Sequence, residues 1–207
     1  MYRVVFLMGR FFSYLAKVCG DWFWRHYLLS YCRVKEEIEL EDPKSLRFSG
    51  KCLLSVGEGS RVHFGKDVVV NSGNHTIDPS PSKILVLPGA SLHLGDNTGM
   101  SSVSIICRQE ITIGNNVRIG AGCLILDSNM HSVDWRLRAS KGNDIKNARC
   151  EPVSIGDYAF IGARCIILKG VHIGEKTIIS AGSVVVDDIP ANCVAGGNPC
   201  KVIKSLE

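Results

Sequence analysis

The chain has 207 residues, 45% of them hydrophobic and 21% charged, which excludes a disordered chain and supplies enough apolar surface for a core. Glycine is over-represented, with 21 residues against an average usage of roughly 7%; no G-X-Y period accompanies it, so collagen is excluded. A net charge of +4 without a basic cluster suits anionic ligands such as phosphates and argues against nucleic acid as a partner.

Met1 to Cys32 places Val4, Leu7, Met8, Phe11, Leu15, Val18 and Trp22 at i, i+3, i+4 spacing among Arg3, Arg10, Lys17 and Arg25, the pattern of an amphipathic α-helix. Arg10, Lys17, Asp21 and Arg25 interrupt every window of the ~20 apolar residues that a membrane span needs, and Val4 to Met8 is too short for a signal-peptide core. Two uses fit the helix: packing on the fold or on a partner subunit, and peripheral contact with a membrane through Trp22, Phe23 and Trp24. The acidic run Glu36 to Asp42 reads as a solvated linker. The expected organisation is therefore a helical segment and linker over 1–42, then a domain over 43–207. Nine cysteines, Cys19, Cys32, Cys52, Cys107, Cys123, Cys150, Cys165, Cys193 and Cys200, form no CxxC pair and no Cys/His grouping. They read as reduced, cytoplasmic thiols used as small hydrophobes, with no metal site.

Beyond the linker the period changes. From Ile113 the chain reads IGNNVR, IGAGCL and the start of a third hexad, ILD; from Ile155 it resumes with IGDYAF, IGARCI, ILKGVH, IGEKTI, ISAGSV and VVDDIP. Ile or Val opens every hexad. Gly114, Gly120, Gly156, Gly162 and Gly174 hold second positions, while fifth positions are mostly small or β-branched. The opening residue should point inward, the fifth should fit a corner, and the glycine should permit either a turn with positive φ or a close approach of strands. Weaker six-residue spacings lie upstream at Val56, Val62 and Val68, and at Leu94, Met100 and Ile106. A β-sandwich would show period two instead.

Such hexads are the hallmark of the left-handed parallel β-helix, and from about Val56 to Leu206 the chain resembles the hexapeptide-repeat acyltransferases. The resemblance implies an all-β domain of about five coils, three hexads each, assembled as a homotrimer with active sites between neighbouring prisms. The period breaks between Ile125 and Ile155, and the loop at 126–154 is of a length usually reserved for function. It opens with Asp127, Ser128, Asn129, Met130, His131, Ser132, similar to the D-x-x-x-H-S element of the galactoside, maltose and capsular-polysaccharide O-acetyltransferases. That likeness implies His131 as general base, a role an imidazole can fill at neutral pH. Asp127, Asp134 and Glu151, or a backbone carbonyl, are the candidates for holding its far nitrogen. Trp135 suits a sugar-facing wall, and Phe160 falls where the family places an aromatic residue against the acceptor.

Ser102 stands where counting back twelve residues from Gly114 meets an asparagine in the maltose and galactoside enzymes. Its run DNTGMSSVSI is closer to members that modify surface polysaccharides or nucleotide-linked sugars. On the donor side the resemblance implies acetyl-CoA as co-substrate, with its pantetheine arm against Gly162, Ala163 and Ala181 and its phosphates near Lys201 and Lys204. Val186 and Asp187 replace a Thr-Lys pair frequent in the family. The expected function is transfer of an acetyl group from acetyl-CoA to a hydroxyl of a sugar or glycan precursor in a ternary complex, in the cytoplasm or at the inner face of the membrane. N-acetylation of an amino-sugar nucleotide and a non-catalytic scaffold are the alternatives. A metal-dependent hydratase similar to the γ-carbonic anhydrases lacks its HxxxxH pair, since Arg136 lies five residues after His131.

Overall fold

The computed structural model of the protein describes residues 26–32, 35–73, 78–140 and 142–206. Its strands fall on three parallel faces visited in strict rotation, which makes the domain a parallel β-helix of six coils. The first face stacks Ile38–Leu40, Arg61–Phe64, Ser91–Leu94, Glu110–Ile113, Val153–Ile155 and His172–Ile173. The second stacks Arg47–Ser49, Val69–Asn71, Gly99–Ser101, Arg118–Ile119, Phe160–Ile161 and Ile178–Ile179. It ends in a hairpin of Cys193–Gly197 and Cys200–Ser205, whose return strand runs antiparallel and closes the helix. The third stacks Cys52–Val56, Ser82–Val86, Ser104–Cys107, Leu124–Leu126, Ile166–Ile167 and Val184–Val185.

Each coil buries its apolar residues on the next, and the hexads explain how. The opening residues Ile113, Ile119, Ile125, Ile155, Ile161, Ile167, Ile173, Ile179 and Val185 are all buried. Registers such as Ile119 with Ile161, and Ile161 with Ile179, put like residues one above another. Fifth positions fill the corners, and the polar ones are hydrogen-bonded there: Thr177 Oγ1 donates to the Pro190 carbonyl at 2.7 Å and Ser183 Oγ to the Ser180 carbonyl at 2.5 Å. Of the eight cysteines described, all are free thiols and seven are buried. No helix among the described residues is long and apolar enough to cross a membrane.

The second-position glycines serve close approach and not positive φ. A Cβ on Gly120 would stand 2.5 Å from the Ala163 nitrogen, and one on Gly162 would stand 2.5 Å from the Ala181 nitrogen. Positive φ belongs to the fourth position instead, at Asn116 (58°), Gly122 (76°), Tyr158 (60°), Arg164 (59°), Lys176 (56°) and Gly182 (74°).

Three other expectations change. Strand Ile38–Leu40 lies inside the supposed linker, with Ile38 buried and paired to Val62; the apolar alternation Ile38, Leu40 is enough to make a strand amid acidic residues, and it adds a sixth coil. Upstream, the residues in register with the later hexad openings are Phe64 and Val70, not Val62 and Val68, and Ile105 is the buried core residue where Ile106 was expected. The third-face strands Cys52–Val56 and Ser82–Val86 run to five residues, so the strict count of six loses phase there. Of the expected N-terminal helix, residues 26–32 are helical, with Leu28 and Cys32 buried in the core; its first 25 residues lie outside the described ones.

Candidate active site

The loop leaves the third face after Leu124–Leu126 and returns to the first at Val153–Ile155. Its ends are zipped together: Ser128 and Cys150 form an antiparallel bridge, Asn129 N–H donates to the Arg149 carbonyl at 3.0 Å, and Glu151 N–H to that of Asp127 at 2.9 Å. Asp127 is fully buried. Its carboxylate accepts the backbone N–H groups of Arg108, Gln109 and Glu110 at 2.7–3.0 Å, which satisfies a corner of the preceding coil that would otherwise hold orphan donors. This side chain anchors the loop, and it is not the partner of His131.

Within the loop, Met130 takes a left-handed conformation (φ 61°) with its N–H on Ser128 Oγ at 3.0 Å. The turn presents His131, whose side chain is 65% exposed. Nδ1 lies 2.6 Å from Asp144 Oδ2, and Asp144 Oδ1 accepts the Ser132 N–H at 2.8 Å. These contacts, the His131 ring first and the Ser132 N–H second, hold the Asp144 carboxyl below the usual carboxylate range. An ionised carboxylate only accepts, so Nδ1 carries the proton, and in the neutral imidazole Nε2 is then the nitrogen with the lone pair. That is the tautomer a general base needs.

Asp144 was not among the expected partners; it is 13 residues further along, and no period or motif marks it. The carboxylates that were expected have other work. Asp134 caps the short helix Trp135–Ala139 by accepting from Arg136 N–H at 2.8 Å. Glu151 is paired with Arg149 Nε and Lys169 Nζ, both at 2.8 Å, and the Lys169 contact is the main reason its carboxyl is held below its ordinary value. Arg138 Nη1 ties down the carbonyls of Ser132 and Val133 at 2.6 and 2.9 Å. Trp135 is exposed beside the histidine segment, with the Arg136 guanidinium 5.1 Å from its ring centre.

Ser102 is buried, and its hydroxyl donates to the Asp78 carbonyl at 2.8 Å; it is a corner tie and not an open acceptor contact. Phe160 is exposed on the second face, in register with Arg118 and Ile178. Gly162, Ala163 and Ala181 line the corner between the second and third faces, one coil apart, and Gly182 N–H donates to the Ala163 carbonyl at 2.8 Å. Small side chains there leave backbone groups open to a narrow, amide-bearing ligand. Lys204 is exposed on the last strand, whereas Lys201 Nζ is already 2.8 Å from Asp187 Oδ2. The histidine loop therefore springs from one edge of the third face, and the small-residue corner forms its other edge. Among the described residues no group of three or more His, Cys, Asp or Glu could hold a metal ion.

Residues 152–186 match the family model described as the hexapeptide repeat of succinyl-transferase. The chain is 36% identical over 119 residues to the galactoside O-acetyltransferase of Escherichia coli, covering 57% of this chain and 56% of that protein. The chain spans between half and two thirds of the curated relatives it matches first. Among solved structures, a maltose O-acetyltransferase from Clostridium difficile 630 superposes with a TM-score of 0.58 at 28% identity, covering 93% of this chain and 89% of that one. A hexapeptide-repeat acetyltransferase from Vibrio cholerae, complexed with acetyl-coenzyme A, superposes with a TM-score of 0.50 at 26% identity, covering 72% of each chain.

Proposed function

We propose that this chain, which is similar to the hexapeptide-repeat acetyltransferases in sequence and fold, is an acetyl-CoA-dependent O-acetyltransferase acting on a hydroxyl of a sugar or glycan precursor. The carrying observation is the His131–Asp144 pair, which leaves Nε2 bare on an exposed ring. His131 Nε2 takes the hydroxyl proton as the acceptor oxygen forms its bond to the acetyl carbonyl carbon. The backbone N–H of Ala163 is placed in the role of steadying the charge that develops on the carbonyl oxygen. When the carbon–sulfur bond breaks, His131 returns the proton to the departing sulfur, so the base is regenerated and no covalent enzyme intermediate is required.

The small-residue corner fits the donor: Gly162, Ala163 and Ala181 would hold the pantetheine arm and Lys204 would meet phosphate, while Lys201 must first give up Asp187. Trp135 and Phe160 are the exposed aromatic surfaces for the sugar. Base and donor corner stand at opposite edges of one face, which supports a homotrimer with each site shared between neighbours. An enzyme of this kind works where acetyl-CoA is, in the cytoplasm.

The test is release of free thiol from acetyl-CoA by the purified protein across a panel of free, lipid-linked and nucleotide-linked sugars. Release is expected only with an acceptor, and His131→Ala should remove it by about 10²–10⁴-fold while the circular dichroism spectrum is kept. A fully active His131→Ala protein would sink the assignment, and an amide in the product NMR in place of an ester would move it to N-acetylation.

A further inference from the structure

Arg108 sits in the corner between strands Ser104–Cys107 and Glu110–Ile113, one coil before the histidine loop. Its Nη2 reaches across to donate to the Ile145 carbonyl at 3.1 Å. Its Nη1 is buried, with no hydrogen-bond partner among the described residues. Ile145 directly follows Asp144 and opens the 3-10 turn Ile145–Asn147, with Asp144 at the N-cap position just before it. The Asp144 side chain does not cap that turn; it is given over to His131 and Ser132. The Arg108 contact is thus the tie, on the residue next to Asp144, from the coil below.

We propose that Arg108 is a positioning residue for the base: by gripping the Ile145 carbonyl from the rigid coil below, it sets the Asp144 carboxylate against His131 Nδ1. This rests on the reading of His131 as general base. A purely structural role accounts poorly for the side chain. Arg108 is half-buried, and burying its Nη1 unmatched is costly, whereas an apolar residue of similar length would pack without that cost. What an apolar residue cannot do is hold a carbonyl, and a shift of about 1 Å at a catalytic group is enough to cost up to a hundredfold in rate.

Arg108→Met separates the two roles. The expected result is an unchanged or raised melting temperature, a KM for acetyl-CoA within about twofold, and a kcat about ten- to a hundredfold lower. Arg108→Lys should recover part of the rate, since an ammonium reaches one carbonyl without the planar fork. An independent readout uses 15N-labelled protein, in which the Nδ1 proton of His131, held against Asp144, should give a downfield resonance that broadens in Arg108→Met. Wild-type kcat in Arg108→Met, a melting temperature that falls in step with the rate, or an unaltered imidazole resonance each overturns the proposal. If the unmodified protein transfers no acetyl group at all, the resonance still decides the Arg108 question, so the two failures are told apart.

Discussion

A neutral imidazole can take a proton only at the nitrogen it has left bare, and in His131 the hydrogen bond to Asp144 decides which one that is. Asp144→Asn keeps the shape and removes the charge. An amide can offer its N–H to Nδ1 and so favour the wrong tautomer, as in hydrolase triads. We expect a kcat at least about tenfold lower with the KM for acetyl-CoA nearly unchanged, measured by steady-state thiol release. The same pair carries a stability term with a defined sign. The folded carboxyl is held below its unfolded value, so the contact contributes fully above the ordinary carboxylate pKa of about 3.9 and is lost as pH falls through the depressed one. Thermal melts of wild type and Asp144→Asn should therefore differ at about pH 5, and converge as the pH falls below it through the depressed carboxyl value. A difference that persists undiminished near pH 2 would show that some other group holds the loop.

At the scale of the coil, the hexad glycines are where scaffold and site meet. Gly120 lies directly beneath Ala163, and a Cβ there would be 2.5 Å from the Ala163 backbone nitrogen. Gly120→Ala must push that backbone away, at a cost of about 1–3 kcal/mol from overpacking, and the donor corner moves with it. We expect a lower melting temperature together with a raised KM for acetyl-CoA; an unaltered KM would separate Ala163 from donor binding. The inward Ile residues, the corner residues and these glycines were legible in the sequence because each repeats the same steric demand every six positions. Positive φ at the fourth position was not, since Asn116, Tyr158, Arg164 and Lys176 share no side-chain chemistry that announces it. Strand Ile38–Leu40 was hidden by the acidic residues on its outward side. Within the loop, the motif singles out His131 as a candidate, but Asp144 comes to it through the fold of an aperiodic segment. Asp127, the carboxylate of that motif, turned out to serve the corner of the coil below.

For the whole molecule, the separation of the two half-sites becomes a question of assembly. The loop with His131 follows the third-face strand Leu124–Leu126, whereas Ala163 precedes the third-face strand Ile166–Ile167. A rigid β-helix cannot fold one edge of a face onto the other, because six coils of buried apolar residues fix its cross-section. A neighbouring copy can bring its own edge to the cleft, and a closed ring of three identical contacts does so with no site left over. Two inactive proteins should then repair each other. His131→Ala lacks the base but keeps the donor corner; Ala163→Trp keeps the base and blocks the corner with a bulky ring. Co-expressed in equal amounts and purified through two different tags, mixed trimers have about a third of their clefts formed by the intact edge of each parent, one of the three in every ring. About a third of wild-type thiol release should return, with none from either parent alone. No recovery in trimers shown by mass to contain both chains would mean that one protomer supplies the base and the donor corner together.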